Sequence, residues 1–453
     1  MTGTTRTAGS IDRRNFLRLT AGVGSALLLS NCRDDGEGSE GGQPIYWTQP
    51  NAGQKEMQAF LAEIEKGFAA ENPGMTAKTL LVPWEDSLTK YTAAFSAGNP
   101  PDVTYQIIPW MNKWRDSGVL ADFREIAPKE DIDKLLENVN PNLLKVAQGV
   151  GGELRAIPYV TDSGHNLTVN LNVWEKAGKP VFPTTYAEMI EFAKAMTVDA
   201  GGHRLGEAGF DKSKVAHYGM TWPAVPAIQE NYVWHYFWSF GTEYISEDGK
   251  DIGFDNDAGR GALENMKEMV DSGAATPPGL YNDESKWANA MVSGKSGMQW
   301  THALSAEQAK AFPAARLKLL EPPKGPGGEQ FMVGGCGYIA VAAKSKNPET
   351  AYKLAKHILS PGPKERYTRL ILGLPINGSS GAFYTELPDR RMNEFMNEAS
   401  KMTRFQRIPP ALKYQPNEYL IGKINDYVTG RQPLDDMIRD ARNQIKQMAA
   451  AAG

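Results

Sequence analysis

The chain has 453 residues, a length that suggests two or three domains, and its 41% hydrophobic and 23% charged residues describe an ordinary soluble globular protein. Removing residues 1–31 takes away four arginines and one acid, which leaves 45 basic against 52 acidic residues, a net charge of about −7. This acidic balance argues against nucleic acid or an anionic membrane as the main partner. No apolar run after Cys32 approaches the length of a membrane span.

The N-terminus has the pattern of an export signal. Arg13 and Arg14 precede a short apolar run that ends at Leu29-Ser30-Asn31-Cys32. The run is too short to span a bilayer, which takes about 20 residues. The paired arginines resemble a twin-arginine signal, and the last four residues resemble a lipoprotein cleavage box, although Asn31 stands where a small residue is preferred. We therefore expect residues 1–31 to be a signal peptide, Cys32 to carry a lipid, and the Gly-rich residues 32–43 to be a flexible tether.

The next residues alternate between strand and helix patterns. Ile45-Tyr46-Trp47, Thr79 to Val82 and Asp102 to Tyr105 predict short strands. Between the first two strands, apolar residues recur at helical spacing up to the stop at Asn72-Pro73. A second helical pattern follows Glu85. This order predicts parallel strand–helix–strand units.

The rest of the chain continues the mixed pattern. A capping motif at Thr184, Thr185 and Glu188 predicts the start of a helix. The aromatic stretch from Ile228 to Phe240 predicts a helix buried on most sides. Further predicted strands are Leu154–Pro158, Asn166–Asn170, 295–300 and Met332–Ala342, and further predicted helices are Ala258–Val270, Pro348–Leu359, Asn417–Val428 and Leu434–Ala450.

Motifs for catalysis are scarce. None of the six histidines has a metal-ligand spacing, and no nucleophile elbow or phosphate loop occurs. The glycines around Cys336 lie in a strand pattern, which favours close backbone approach and an inert buried thiol. Asp251, Asp255 and Asp257 do not follow the EF-hand spacing, so a turn and a helix cap explain them better. A pair of carboxylates for glycoside hydrolysis stays open, because such pairs are defined in space and not in sequence.

Binding is better supported by the aromatic residues. Trp47, Trp84, Trp110 and Trp222 stand at predicted strand ends or in loops, where ligands of open α/β sheets lie. A tryptophan ring stacks on the apolar face of a sugar while amides and carboxylates bond its hydroxyl groups. For any single tryptophan, a place in the core is the alternative.

The order of several short motifs along the chain resembles the extracellular solute-binding proteins of ABC importers, in particular the sugar-binding group that includes maltose-binding protein. The motifs are Ile45-Tyr46-Trp47, Glu71-Asn72-Pro73-Gly74, Val82-Pro83-Trp84, Gly98 to Val103, Leu154 to Tyr159, Asn172 to Gly178, Pro183 to Tyr186, Ser293 to Met298, Gly334-Gly335, Lys344 to Pro348 and Gly373-Leu374-Pro375.

The resemblance implies an α/β, two-lobed periplasmic-binding-protein fold of type II, with a ligand cleft between lobes joined by hinge strands. Lobe 1 would comprise residues 44–160 and 331–375, and lobe 2 residues 161–330 and 376–453. The chain would cross near Tyr159-Val160, Gln330-Phe331 and Leu374-Ile376. The protein would be a monomeric receptor with no cofactor and no enzymatic activity, held by its lipid in the periplasm or on the outer face of the plasma membrane, and it would deliver ligand to permease subunits.

The resemblance also implies ligand-contact positions in both lobes. They are Trp47, Gln49, Asn51, Trp84, Glu85, Gln106 and Trp110 in lobe 1, Asp162 past the hinge, Trp222, Glu230, Trp234, Trp300 and Tyr414 in lobe 2, and the backbone at Gly334 and Gly335. This lining favours a di- or oligosaccharide. The alternatives are a glycerol-phosphodiester-like anion, bound by Arg366 or Arg369, and an exported polysaccharide-acting enzyme using Asp162 and Glu230.

Overall fold

The computed structural model describes residues 43–161, 166–223, 226–281, 284–301, 316–371, 373, 376, 403–406, 409, 412 and 416–452. Cys32, Asp162 and Tyr414 lie outside these residues, as does the signal peptide with nearly all of the tether. All the elements below belong to one unit, Pro44–Gly453. No helix among the described residues has the length and apolar character needed to cross a membrane.

Helices and strands alternate through most of the described chain. The strands are β1 Ile45–Thr48, β2 Lys78–Leu81, β3 Val103–Ile107, β4 Ile157–Thr161, β5 Asn166–Asn170, β6 Val198–Asp199, β7 Val215–Met220, β8 Ser296–Thr301, β9 Leu317–Leu320, β10 Met332–Gly334, β11 Cys336–Val341 and β12 Thr403–Phe405. The helices are α1 Gln54–Glu71, α2 Trp84–Ala97, α3 Ile108–Trp114, α4 Phe123–Ile126, α5 Lys129–Leu135, α6 Pro141–Ala147, α7 Leu171–Lys176, α8 Tyr186–Met196, α9 Pro226–Phe240, α10 Asp257–Asp271, α11 Glu284–Val292, α12 Pro348–Leu359, α13 Pro361–Leu370, α14 Asn417–Val428 and α15 Leu434–Ala452.

The first sheet has the order β2-β1-β3-β11-β4. Strand β1 pairs in parallel with both β2 and β3, which confirms the predicted strand–helix–strand units. Helix α1 covers this sheet with the residues that the helical spacing marked as apolar, from Met57 to Phe68. Strand β11 runs antiparallel to β3 and to β4, so β4 ends at the same edge as β1 and β3.

The second sheet has the order β6-β7-β8-β5-β9. Helix α8 packs on it and begins with the predicted capping box, in which Thr185 and Glu188 bond each other's backbone amide. Gly219 in β7 allows this packing, because a Cβ there would lie 1.8 Å from the carbonyl oxygen of Ala193. Strand β7 is parallel to β8, and β5 is antiparallel to β8, so β5 starts at the edge where β7 and β8 end.

The two edges are close in space because a short stretch of chain connects them. Strand β4 ends at Thr161 and strand β5 begins at Asn166. Five peptide steps span at most about 18 Å. The carboxyl ends of β1, β3 and β4 in one sheet are therefore near the carboxyl ends of β7 and β8 in the other.

Three local predictions were wrong. The stretch Met332–Ala342, predicted as one strand interrupted by glycines, is two strands in different sheets, because β10 pairs in parallel with the distant β12. Strand β4 starts at Ile157 and not at Leu154, which makes only an isolated bridge with Gln148. Trp84 and Trp110 belong to helices that begin directly after strands, since α2 follows β2 and α3 follows β3 without a longer loop.

Candidate functional site

Two glutamines line the edge of the first sheet. Gln49 follows β1, and its Nε2 donates to the hydroxyl groups of Tyr91 at 2.9 Å and Ser87 at 3.2 Å. Gln106 lies at the end of β3, and its Nε2 donates to Thr104 Oγ1 at 2.9 Å. Both side chains are fully buried, and the Oε1 of each has no hydrogen-bond partner among the described residues. Leaving such an atom unpaired costs about 1–3 kcal/mol, so each glutamine favours a hydrogen-bonding ligand nearby.

Aromatic rings surround these glutamines. Trp47 and Trp84 are partly exposed, whereas Trp110 is buried. Tyr91 holds the group together, since its ring centroid lies 5.8 Å from that of Trp47 and 5.5 Å from that of Trp110. Trp84 lies 5.6 Å from Trp110. The structure therefore joins the predicted residues Trp47, Gln49, Trp84 and Trp110 into one cluster, in which Trp47 and Trp84 are partly exposed. The predicted Glu85 side chain lies outside the described part of the chain.

Asn51 occupies a separate position at this edge. Its Nδ2 donates to the hydroxyl group of Tyr367 in α13. The Tyr367 ring stacks on Tyr159 of β4 at 4.8 Å. Asn51 thus joins β1 to α13 and to the first hinge strand, a structural role that the sequence did not indicate.

Two tryptophans line the edge of the second sheet. Trp222 follows β7, and Trp300 lies near the end of β8. Because Met220 of β7 pairs with Met298 of β8, the two tryptophans occupy equivalent positions on neighbouring strands. Both are at least 98% buried and pack edge-on against Tyr232, at 5.0 and 6.2 Å. The Nε1 of each indole has no hydrogen-bond partner among the described residues. Both rings belong to the hydrophobic core beside this sheet. The groups without partners are thus N–H donors here and amide oxygen acceptors at the first edge.

Glu230 and Trp234 lie one turn apart on α9. Glu230 accepts a hydrogen bond from Asn417 at the start of α14, and burial raises the pKa of its carboxyl group to about 8. Glu230 is therefore protonated and uncharged at neutral pH. The Trp234 ring packs on Trp238 and on Tyr244, and its Nε1 is another donor with no partner within the described chain. Glu230 thus contacts the start of α14, and Trp234 belongs to the same buried core cluster as Trp222 and Trp300.

The second crossing between the sheets is held by His235, which the sequence analysis missed. Its Nε2 accepts a hydrogen bond from the Val333 amide at 3.4 Å. Its Nδ1 therefore carries the proton and lies 3.1 Å from the Phe331 carbonyl oxygen. A histidine within the aromatic stretch of this helix was the available signal, because a buried imidazole needs hydrogen-bond partners.

A glycine in this crossing allows the close approach of the neighbouring strand β12. A Cβ on Gly334 would lie 2.2 Å from Thr403 Cγ2 and 2.7 Å from the Phe405 ring in β12. Gly335 connects β10 to β11. Ligand contact by these two backbones stays a prediction, as it does for Asp162.

The cations considered for an anionic ligand are engaged on the surface of α13. Arg366 pairs with Glu63 at 3.4 Å and Arg369 with Glu365 at 2.9 Å, and both side chains are more than 40% exposed. Within the described part of the chain, no group of three or more His, Cys, Asp or Glu side chains is placed to hold a metal ion.

The chain passes from one sheet to the other, and aromatic and amide side chains lie at the strand ends of both sheets. This arrangement defines a two-lobed binding protein. The solved structures that resemble it confirm the predicted fold. One is the ABC substrate-binding protein of Listeria monocytogenes in complex with cycloalternan, with a TM-score of 0.74, 16% identity, and coverage of 90% of this chain and 99% of that one. Another is the cyclic alpha-maltosyl-1,6-maltose binding protein of Arthrobacter globiformis, with a TM-score of 0.71, 16% identity, and coverage of 90% and 98%.

The family follows from the sequence itself. The family model described as bacterial extracellular solute-binding protein matches residues 63–389, and the chain belongs to this family. A binding protein of Brucella abortus is 24% identical over 359 residues, which cover 79% of this chain and 80% of that protein. The family predicted from the order of the motifs is confirmed.

Proposed function

We propose that this protein is the substrate-binding receptor of an ABC importer, and that it captures a neutral carbohydrate, a di- or oligosaccharide, between its two lobes. Closure of the lobes would bring both edges onto the ligand, so ligand would favour the closed state. The closed protein would then deliver the ligand to permease subunits. It would act as a monomeric receptor and not as an enzyme.

The observation that carries the proposal is the chemistry of the unpaired buried groups. Among the described residues, the amide oxygens of Gln49 and Gln106 at one edge and the indole N–H groups of Trp222 and Trp300 at the other have no hydrogen-bond partner. All four groups are uncharged, and the partly exposed Trp47 and Trp84 lie in the same cluster as Gln49. A sugar hydroxyl group both donates and accepts, so one polyhydroxylated ligand can satisfy both edges.

The structural relatives support the same ligand class. The Listeria structure is a complex with cycloalternan, and the Arthrobacter protein is named as a binding protein for cyclic alpha-maltosyl-1,6-maltose; both ligands are oligosaccharides. The first is also named as an ABC substrate-binding protein. These names support an oligosaccharide and an importer for the present chain.

The two alternatives have less support. A phosphodiester would need a cation in the cleft, and Arg366 and Arg369 are paired with acids on the outer surface of α13. A glycoside hydrolase needs two carboxyl groups at the bond to be broken. Glu230 could supply one of them as a protonated acid, but it bonds Asn417 inside the packing of α9 and α14.

Export and lipid attachment at Cys32 are part of the proposal. Arg13, Arg14 and the box that ends at Cys32 support them. Cell fractionation of the Cys32→Ala protein tests the anchor, because this variant should move from the membrane to the soluble fraction. A variant that stays with the membrane would show that the lipid at Cys32 is not the anchor.

A thermal-shift screen across neutral oligosaccharides, polyols and glycerophosphodiesters tests the ligand class. A ligand present at a hundred times its Kd stabilises the folded state by about 2.7 kcal/mol. We expect a rise in Tm with one or more oligosaccharides and no sugar product by chromatography. Stabilisation by phosphodiesters alone would overturn the ligand class, and release of a shorter sugar would overturn the receptor.

A further inference from the structure

A single apolar residue protrudes from the loop between α7 and α8. Val181 is 91% exposed, the largest exposure among the large apolar side chains of the described residues. The loop that carries it is well braced. The Phe182 ring stacks on Trp174 at 4.9 Å, and Trp174 Nε1 donates to the Pro180 carbonyl oxygen at 2.7 Å. Val181 is thus held in solvent by a packed loop.

The backbone before Val181 is constrained as well. Gly178 has a φ of 83° and Lys179 a φ of 58°, which is an unfavourable conformation for a residue with a side chain. Conformational strain of this kind persists where the surroundings impose it. The exposed position of Val181 is therefore a defined feature of the fold.

Four cations lie on this loop and on the elements next to it. The Lys179 Nζ lies 5.7 Å from the Trp174 ring centroid, and the Lys318 Nζ lies 5.3 Å from that of Phe182. Lys176 is exposed on the last turn of α7, and Arg316 precedes β9. These four side chains form the basic rim, which we define as Lys176, Lys179, Arg316 and Lys318.

The acids at this surface are already engaged. Glu175 bonds Arg316 at 2.9 Å and lies 3.6 Å from Lys179. Glu188 accepts hydrogen bonds from the backbone amides of Thr184 and Thr185 at the start of α8. Glu191 further along α8 is paired with Lys194, and Glu321 after β9 accepts a hydrogen bond from Gln330. The four rim cations thus outnumber Glu175 and Glu188, on a protein whose formal charge is −4.

We propose that Val181 and the basic rim form a membrane-contact surface that binds anionic lipid headgroups. A basic rim around an apolar tip is the arrangement by which proteins lie in the membrane interface. A protein partner fits less well, because one valine is a small part of the roughly 800 Å² that each side of a stable interface buries. The net negative charge of the whole chain argued against an anionic membrane as a partner. Attraction between the basic rim and lipid headgroups, however, acts locally, within a Debye length of about 8–10 Å. This proposal is independent of the ligand class.

Val150 provides a matched control. It is 74% exposed at a turn after α6, where its amide donates to Asp116. Asp116 and Glu153 are each paired with an arginine there, Arg115 and Arg155. Val181→Asp and Val150→Asp would be made in the Cys32→Ala protein, so that no lipid on the protein contributes. Unchanged melting temperatures would show that both variants are folded.

The test is sedimentation with vesicles of phosphatidylglycerol and phosphatidylcholine in about equal parts, compared with vesicles of phosphatidylcholine alone. We expect binding to the anionic vesicles that weakens at high salt, falls about tenfold in Val181→Asp and is unchanged in Val150→Asp. Equal binding to both vesicle types, or an equal effect of the two substitutions, would overturn the proposal. A third outcome would also overturn the proposal. If Val181→Asp binds vesicles normally but no longer stimulates the permease, the surface contacts the permease and not the lipid.

Discussion

The imidazole of His235 lies 4.3 Å from the Trp300 ring, centroid to centroid. The same imidazole is hydrogen-bonded to Val333 and lies 3.1 Å from the Phe331 carbonyl oxygen, in the second crossing between the sheets. One side chain therefore connects a tryptophan at the candidate ligand edge to a hinge segment. A ligand that contacts Trp300 would act next to the group that anchors the hinge.

Replacing His235 with phenylalanine should loosen this crossing. The ring that packs on Trp300 would be kept, but the Val333 amide would lose its acceptor and the Phe331 carbonyl its donor. Each unpaired buried group costs about 1–3 kcal/mol. We expect faster hydrogen exchange at the Val333 amide and a lower Tm.

His203→Phe is the control, because His203 lies half exposed in a loop of lobe 2, where its imidazole is 3.4 Å from Asp199. It should leave the Val333 amide unchanged. If His235→Phe lowers the Tm while Val333 exchanges at the wild-type rate, His235 contributes packing only and does not anchor the hinge.

Two buried glutamines should respond differently to substitution by leucine. Gln106 has an unpaired amide oxygen at the ligand edge, whereas both ends of the Gln299 amide are bonded, to the Trp287 carbonyl oxygen at 3.0 Å and to Thr221 Oγ1 at 3.3 Å. We expect Gln106→Leu to weaken binding of the stabilising sugar about tenfold or more, with a small change in Tm. Gln299→Leu should lower the Tm because it leaves the bonded groups unpaired. Calorimetric titration and thermal unfolding of both variants decide this, and equal affinities in Gln106→Leu and wild type would remove Gln106 from the site.

Stability should depend on pH through Glu230. Burial raises the pKa of this carboxyl group from 4.5 to about 8. Between these values the unfolded chain releases the proton and the folded protein keeps it, so the free energy of unfolding falls as pH rises. The slope is about 1.4 kcal/mol per pH unit at most, and it vanishes below pH 4.5 and above pH 8.

Glu230→Gln removes this titration and keeps the oxygen that accepts from Asn417. Urea unfolding of both proteins at several pH values gives the free energy of unfolding as a function of pH. The two curves should converge toward acid pH, and the wild type should lose stability relative to the variant as pH rises toward 8. Parallel pH dependence in the two proteins would mean that Glu230 is ionised in the folded state.

Elements with clear local signals were predictable from the sequence. The bounds of α12, α14 and β5 agree with the structure residue for residue. Asn347 caps α12 and Pro348 occupies its first turn, so the start of that helix is encoded locally. The parallel order of β1, β2 and β3 followed from the alternation of strand and helix patterns.

Contacts between distant segments were not predictable in this way. The pairing of β10 with β12 joins residues about 70 positions apart, and Asn51 meets Tyr367 across 316 positions. Periodicity shows which face of an element is buried, but not which element covers it. The short helices α3 to α6 were missed for a related reason, since each has two turns or fewer and shows little periodicity.

The central claim is tested most directly by calorimetric titration with an oligosaccharide that raises the Tm. The sugar is titrated into the wild type and into one variant from each lobe. The variants are Gln106→Leu at the first edge and Trp300→Phe at the second. They remove an acceptor and a donor that have no hydrogen-bond partner within the described chain. We predict that each variant binds the sugar at least about tenfold more weakly than the wild type, because the ligand contacts both edges. Wild-type affinity in either folded variant would contradict capture of the sugar between the two lobes at these edges.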